Sequence, residues 1–409
     1  MCAPTLPGAA RSTTLGDMTT AAPHAFTAAI IGGSVGGLAA AHELRSIGAD
    51  VTVYERSVDR TQPRGAGIVM QAEVESLLSR LGVSVPSVSV ALYERRRLHR
   101  DGRIGRYEAP QWMTAWDTLY AALRAPLGEV CYRLGSELQG LTVDDDCVTA
   151  TFGDGHRTTT DLVVGADGVG STTRSLLHLP GDISYAGYVA WRGLEPEAAL
   201  PAHLVDLLAE RFTSFGAPGM QMLCYLVPGA NGELERGSRR VNWVWYVNTA
   251  EGDLGRLLTG TSGRRYDNFL PPGELTAENL TEVSTLAERT LPGPFVELIG
   301  QSRVFMQPVF DLPPSRMVAD HVMLLGDAAG TVRPHTASGT SKALGDAATL
   351  ARALHGWAPP ASLPQGRLAS WEAHRLAHLD AVARSGIRLA AHSLLGPAGP
   401  DHSACADTR

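Results

Sequence analysis

The sequence predicts an α/β protein of two domains, in which a parallel sheet is interrupted by an antiparallel sheet and closed by a C-terminal helix. Three observations carry this expectation. Short apolar runs end in glycine- and acid-containing turns at Gly32, Asp167 and Asp327. The middle third is dense in apolar and aromatic residues with strand character. A helical stretch follows the last turn, and no further domain is expected after it.

Composition bounds the reading. With 409 residues and 44% hydrophobic side chains, the chain can build a large core and two packed domains. A net charge of −7 and the lack of a basic run argue against nucleic acid as a partner. Arginine supplies nearly all the basic side chains, Lys342 being the only lysine. Cys2, Cys131, Cys147, Cys224 and Cys405 form no Cys-x-x-Cys pair, so a reducing cytoplasm is expected rather than a disulfide scaffold. Residues 1–25 lack a basic start before an apolar stretch and read as a disordered tail rather than a signal peptide, with Met18 as an alternative start. The apolar run 25–41 carries four glycines and is followed by His42-Glu43, which favours strand, turn and helix over a membrane span. The expected units are a tail at 1–25, the first part of a nucleotide-binding domain at 26–181, a substrate domain at 182–310, the second part with the C-terminal helix at 311–395, and a tail at 396–409.

Residues 28–31 read as a buried parallel strand, followed by Gly32-Gly33-Ser34-Val35-Gly36-Gly37 and an alanine-rich helix that Gly48 ends. A second strand, 51–54, delivers Glu55 to its tip, with Arg56 beside it. This is the order of a Rossmann-like dinucleotide-binding unit: free N–H groups at the helix start suit a pyrophosphate, and Glu55 suits a ribose hydroxyl. Ser34 stands where the middle glycine of G-x-G-x-x-G is usual, and a tight turn in an ordinary α/β protein is the plain alternative. The same residues also match G-x-S-x-G, the nucleophile elbow of hydrolases. That reading fails, because the hydrolase fold needs several strands before its serine.

Residues 161–174 form a second apolar strand ending in Asp167-Gly168, with Ser171 and Arg174 beyond it. Residues 321–329 form a third, ending in Gly326-Asp327 and leading through Arg333-Pro334-His335 to Gly339, Thr340 and a helix. Singly, each is a common turn after a strand. Three in one chain, in this order, resemble the class A flavoprotein aromatic hydroxylases, which share the fold of para-hydroxybenzoate hydroxylase. The resemblance covers residues 26–385. Within the family, the variant glycine turn, residues 185–193 and residues 333–339 look like the branch that hydroxylates dihydroxypyridines. One departure is Trp116, at a helix start where many members carry arginine.

The resemblance implies non-covalent FAD, NADH or NADPH as co-substrate, and dioxygen delivered to an electron-rich aromatic ring through a flavin C4a-hydroperoxide. It implies that the first turn with Glu55 and Arg56 holds the ADP part of FAD. The Asp-Gly motif, with Asp167, Gly168, Ser171 and Arg174, contributes to FAD and NAD(P)H binding, and Gly326 with Asp327 binds the ribityl chain. Gly67 and Ile68 lie in a loop passing the flavin, after Arg64, Gly65 and Ala66. The helix beginning near Gly339 and Thr340 directs N–H groups at the charge of the reduced ring, with Lys342 adding charge. Pro334 lies beside the ring, and His335 is the candidate for facing ring or activated oxygen and assisting deprotonation of a substrate hydroxyl.

Tyr188, Arg192, Tyr225 and Trp245 are candidate substrate contacts, Arg192 because its charge can hold a phenolate or hydroxypyridine anion. Strand aromatics are otherwise core residues. Residues 243–247 partly match a flavin-dependent halogenase signature, but the lysine that chemistry needs is absent from its place. His374 and His378 share a helix face without a third ligand, so no metal is expected. The partners expected are a small aromatic substrate and a second copy in a homodimer, with neither nucleic acid nor membrane. The alternative is an epoxidase or dehydrogenase of the same fold acting on a larger biosynthetic intermediate. All of this requires the three strand tips to meet in space.

Overall fold

The computed structural model describes residues 25–58, 67–129, 131–179, 181–208 and 210–396. Almost all of both expected tails, and Arg64, Gly65 and Ala66, lie outside the described residues.

The chain opens with Thr27–Ile31 (β1), Val35–Ser46 (α1) and Asp50–Tyr54 (β2), followed by Gly67–Val69 (β3), Ala72–Arg80 (α2), Val90–Leu98 (β4), Ile104–Ala115 (β5) and Trp116–Arg124 (α3). Tyr132–Arg133 (β6), Leu138–Val143 (β7), Val148–Phe152 (β8), Arg157–Thr160 (β9), Leu162–Gly165 (β10) and Thr172–Leu176 (α4) complete the first part. The middle holds Ser184–Pro196 (β11), Ala202–Leu208 (α5), Arg211–Ala217 (β12), Met220–Val227 (β13), Arg240–Asn248 (β14), Leu254–Leu257 (α6), Ala277–Thr290 (α7), Gly293–Gly300 (α8) and Phe305–Asp311 (β15). Val318–Ala319 (β16), Val322–Leu324 (β17), Gly339–Leu354 (α9) and Gln365–Ala391 (α10) end the fold.

The first sheet has the order β16-β17-β10-β1-β2-β6. All but β16 run parallel. Every residue of β10 and β17 is buried, which is why these segments read as unbroken apolar runs. Because β17, β10 and β1 are neighbours, their carboxyl ends bring Gly326, Asp167 and Gly32 to one edge of the sheet. Ligands of open α/β sheets bind outside that edge. The convergence that the sequence requires is therefore present.

The second sheet has the order β15-β11-β14-β13-β12-β4-β5-β3. It extends beyond residues 182–310, because β4 pairs in parallel with β12 and brings β5 and β3 with it. Val90, Leu92, Leu98 and Met113 thereby join the core under this sheet. On β11 and β14 the pairing of Trp191 with Trp245 and Gly193 with Trp243 turns one face toward α5, α7 and α8. Trp243 and Trp245 are fully buried there, and truncating either to alanine should cost about 3–5 kcal/mol. The opposite face, with Ala190, Arg192, Arg240 and Tyr246, looks toward the first sheet's ligand edge.

The long helix α10 locks the closing helix α9. Arg375 donates to Asp346 Oδ1 at 2.6 Å, and Asp346 Oδ2 accepts from the Gly326 N–H at 3.0 Å. Distant sequence thus fixes the third strand tip. Among the described residues no helix is long and apolar enough to cross a membrane.

Candidate active site

At the first strand tip the backbone of Gly32 has φ +100°, and a Cβ there would lie 2.5 Å from the Ala166 carbonyl oxygen. Only glycine allows strands β1 and β10 to end so close together. The Gly33 N–H donates to Glu55 Oε2 at 2.8 Å, while Glu55 Oε1 accepts from the Ser57 N–H and hydroxyl at 2.9 and 2.8 Å. Glu55 thus ties the glycine turn to the tip of β2. Val35, Gly36 and Gly37 form the first turn of α1, whose N–H groups have no partners within the helix.

Gly32, Ser34, Glu55, Arg56, Asp167 and Gly168 line one recess of about 170 Å³. A larger cavity of about 1100 Å³ continues from it, sharing Arg56 and reaching Val169, Asp327, Pro334 and the sheet residues Arg192 and Tyr246. The two together run across all three strand tips. An added Cβ at Gly168 or Gly339 would meet no atom within 4 Å, so both glycines border open space. This cradle of glycines, helix-start N–H groups and the Glu55 carboxylate fits an extended FAD.

Other expected residues act behind the cavity. Asp167 Oδ1 accepts from the Ser171 hydroxyl at 2.6 Å, and its Oδ2 from the Thr173 N–H and hydroxyl. The Ser171 hydroxyl also caps α4 by accepting from the Arg174 N–H. Buried Arg174 donates to the carbonyls of Val169 and Ala328 at 2.8 and 3.1 Å. Ser171 and Arg174 therefore line neither recess. They staple the second strand tip to the third.

Gly326 lies at φ +60° on the third tip, where Asp327 enters the cavity wall and faces Lys342 Nζ at 3.6 Å. The Lys342 ammonium is buried and donates to the Gly330 carbonyl at 2.7 Å. Gly339 and Thr340 begin α9. Gly67 and Ile68 belong to β3, where the Gly67 carbonyl accepts from the Tyr225 hydroxyl at 3.3 Å.

His335 sits in the short turn Pro334–Thr336. It follows Pro334 but lines neither recess, and both ring nitrogens are occupied: Nδ1 by Gln221 Oε1 and Nε2 by the Tyr188 hydroxyl, each at 2.9 Å. Burial, with the charge of Arg333 assisting, pushes its pKa down to about 4. The neutral ring links β11 and β13 to the turn that bears Pro334.

Of the four candidate substrate contacts, Arg192 alone lines the cavity. Tyr188 is fully buried behind it with its hydroxyl on His335, and Tyr225 packs under β3. Trp245 lies on the opposite face, among the core residues beside α7 and α8. Two wall residues were missed by the sequence reading. Tyr246 is hydrogen-bonded by Arg192, and burial raises its pKa. Arg240 donates two hydrogen bonds to Asp117, at 2.7 and 2.8 Å. The alternation along β14 could have placed Tyr246 opposite the tryptophans, but residues of both faces are buried.

The chain matches the family described as FAD binding domain over residues 25–201, and that described as FAD binding domain-like over residues 185–311. It is 35% identical to 2,6-dihydroxypyridine 3-monooxygenase of Paenarthrobacter nicotinovorans, across 91% of this chain and 94% of that protein. It is 28% identical to 3-amino-4-hydroxybenzoate 2-monooxygenase of Streptomyces cremeus, across 91% and 89%. The solved structure of 2,6-dihydroxypyridine-3-hydroxylase from Arthrobacter nicotinovorans superposes with a TM-score of 0.84 at 33% identity, covering 93% of this chain and 96% of that one. A glycine cradle reaching a cavity under an antiparallel sheet, with relatedness along almost its whole length, makes this chain a member of the FAD-dependent aromatic hydroxylases.

Proposed function

We propose that this enzyme inserts one oxygen atom of O2 into a small aromatic or heteroaromatic ring that carries a hydroxyl group, consuming NADH or NADPH and releasing water. The observation that carries the reading is the charge of the cavity wall. Arg56, Arg192, Arg240, Arg264, Arg265 and Arg303 line it against Glu195, Asp267 and Asp327. A net positive recess in a chain of net charge −7 suits an anionic ring such as a phenolate or a deprotonated hydroxypyridine. The relative acting on 2,6-dihydroxypyridine supports the same class.

FAD, when bound, accepts the reducing equivalents and activates the oxygen. The protein's share is orientation and electrostatics. Gly32–Gly37, Glu55 and Arg56 would hold the ADP half, Asp167, Gly168, Gly326 and Asp327 the middle, and Gly67, Ile68, Pro334 and the start of α9 at Gly339 and Thr340 would border the ring. Arg192, steadied by its bond to Tyr246, would hold the substrate oxygen as an anion and so keep the ring nucleophilic. The antiparallel sheet would keep water from the reacting atoms. In this reading residues 26–181 and 311–395 serve the cofactor and 182–310 the substrate, the latter aided by residues 67–115. A cytoplasmic homodimer belongs to the same reading. The free thiols Cys131, Cys147 and Cys224 support a reducing compartment, and sedimentation checks the dimer.

The test is NAD(P)H consumption by the FAD-loaded protein against a panel of hydroxylated aromatics and heteroaromatics under heavy-isotope dioxygen. At least one should accelerate consumption and yield a product bearing one labelled oxygen. Unchanged consumption across the panel would favour an epoxidase or dehydrogenase acting on a larger intermediate.

A further inference from the structure

We infer that Trp116 is a positioning residue for the FAD diphosphate and acts through the hydroxyl of Ser34. Ser34 is the N-cap of α1, with extended backbone at φ −77° and ψ −176°, yet its side chain makes no capping bond. Its Oγ accepts instead from the Trp116 indole N–H at 3.3 Å. A hydroxyl that accepts on one side turns its own proton elsewhere. Ser34 lines the smaller recess, where that proton meets whatever anion lies across the helix start.

The indole is itself held. It stacks on Tyr120 with ring centres 5.1 Å apart and planes 16° apart. The Tyr120 hydroxyl lies 3.2 Å from that of Tyr132, which donates to the Gly33 carbonyl at 3.0 Å. An aromatic brace thus runs from α3 through β6 and back to the turn that bears Ser34. Among the described residues Arg56 is the only cation lining the smaller recess, against the carboxylates of Glu55, Glu137 and Asp167. Two phosphate charges must then be met largely by neutral donors, namely the N–H groups of α1 and this oriented hydroxyl. The inference rests on FAD occupying the recess and goes beyond it in assigning a role to two side chains.

The test measures FAD dissociation from the full-length FAD-loaded protein by flavin fluorescence, for Ser34→Ala, Trp116→Phe and the double variant. Phenylalanine keeps an aromatic ring against Tyr120 and removes the N–H together with the pyrrole ring that carries it. Each single variant should bind FAD about tenfold more weakly, the scale of one hydrogen bond to a charged group. The double variant should be no weaker than Ser34→Ala, and Ser34→Thr should retain affinity. The binding constant of ADP, corrected for the change in FAD affinity, should weaken in step, while that of adenosine, which lacks phosphate, should not change. Wild-type affinity in Trp116→Phe, single effects that multiply in the double variant, or equal losses for ADP and adenosine would each overturn the inference. Should Ser34→Ala not fold, Ser34→Gly removes the same hydroxyl at a position where glycine also caps. A protein that folds but takes up no FAD would overturn both this and the assignment of the recess.

Discussion

The Tyr188 hydroxyl donates to His335 Nε2 at 2.9 Å, joining strand β11 of the sheet to the turn that presents Pro334. With Gln221 Oε1 accepting from Nδ1, the neutral imidazole is satisfied on both sides. A proton on Nε2 would force the Tyr188 hydroxyl to reverse, inside a site that burial and Arg333 already make hostile to positive charge.

Acid sensitivity follows. The folded-state pKa of His335 is about 4, below its ordinary value of 6.5. The stabilisation from keeping it neutral is fully present above pH 6.5 and is lost as pH falls toward 4. At most it amounts to about 3 kcal/mol. Urea denaturation at pH 7.5 and pH 4.5 should show this loss in the native chain and a smaller one in His335→Gln. Equal pH dependence in the two proteins would refute it.

A second stability prediction concerns Glu197 and Arg239, both buried and joined by two hydrogen bonds of 2.8 and 2.9 Å. Glu197 also accepts from the Gly237 N–H at 2.9 Å. Burial raises the Glu197 pKa, but the bonds from Arg239 and Gly237 outweigh it, and the net direction is down. Glu197→Ala leaves a buried guanidinium alone and should cost about 3–5 kcal/mol. Replacing both residues by methionine should recover most of that in chemical denaturation. A double variant as unstable as the single one would contradict this view of the pair.

Gly67 shows how the two sheets constrain each other. A Cβ on it would lie 2.3 Å from the Tyr225 ring, which is stacked on Phe212 with ring centres 5.2 Å apart. The ring has little room to yield. Gly67→Ala should therefore lose about 1–3 kcal/mol, and adding Tyr225→Leu should relieve part of the loss. Thermal unfolding of the single and double variants reads this coupling, and strictly additive losses would show that the two positions do not touch.

These cases show what the sequence makes legible. The three strand tips are local features: an apolar run, a glycine and an acid lie within a few residues, so turn chemistry alone announces them. Sidedness in the second sheet is not local. Along β14 Arg240, Asn242, Val244 and Tyr246 are as buried as Val241, Trp243, Trp245 and Val247, so alternation carries no polar contrast. Pairing with β11 decides which set meets the cavity. The role of His335 was equally hidden, because Gln221 and Tyr188 come from strands 114 and 147 residues away. Ser171 and Arg174 were recognisable as a motif, but whether they touch the ligand or hold the loop depends on where Ala328 falls.

Arg192 and Trp245 separate binding from stability most sharply. They lie on paired strands, since Trp191 faces Trp245 and Arg192 faces Val244, yet their side chains leave the sheet on opposite sides. Arg192→Met should lower kcat/KM about 10- to 100-fold for an anionic substrate, the loss of one charge-assisted hydrogen bond. The deficit should shrink for a neutral analogue that cannot ionise. Trp245→Phe should leave KM unchanged, because its indole nitrogen has no hydrogen-bond partner to lose and its ring packs among core residues. Its cost should appear instead as a lower midpoint of thermal unfolding, about 1–3 kcal/mol from the smaller ring. An unchanged kcat/KM in Arg192→Met, or a raised KM in Trp245→Phe, would mean that the substrate lies on the other face of the sheet.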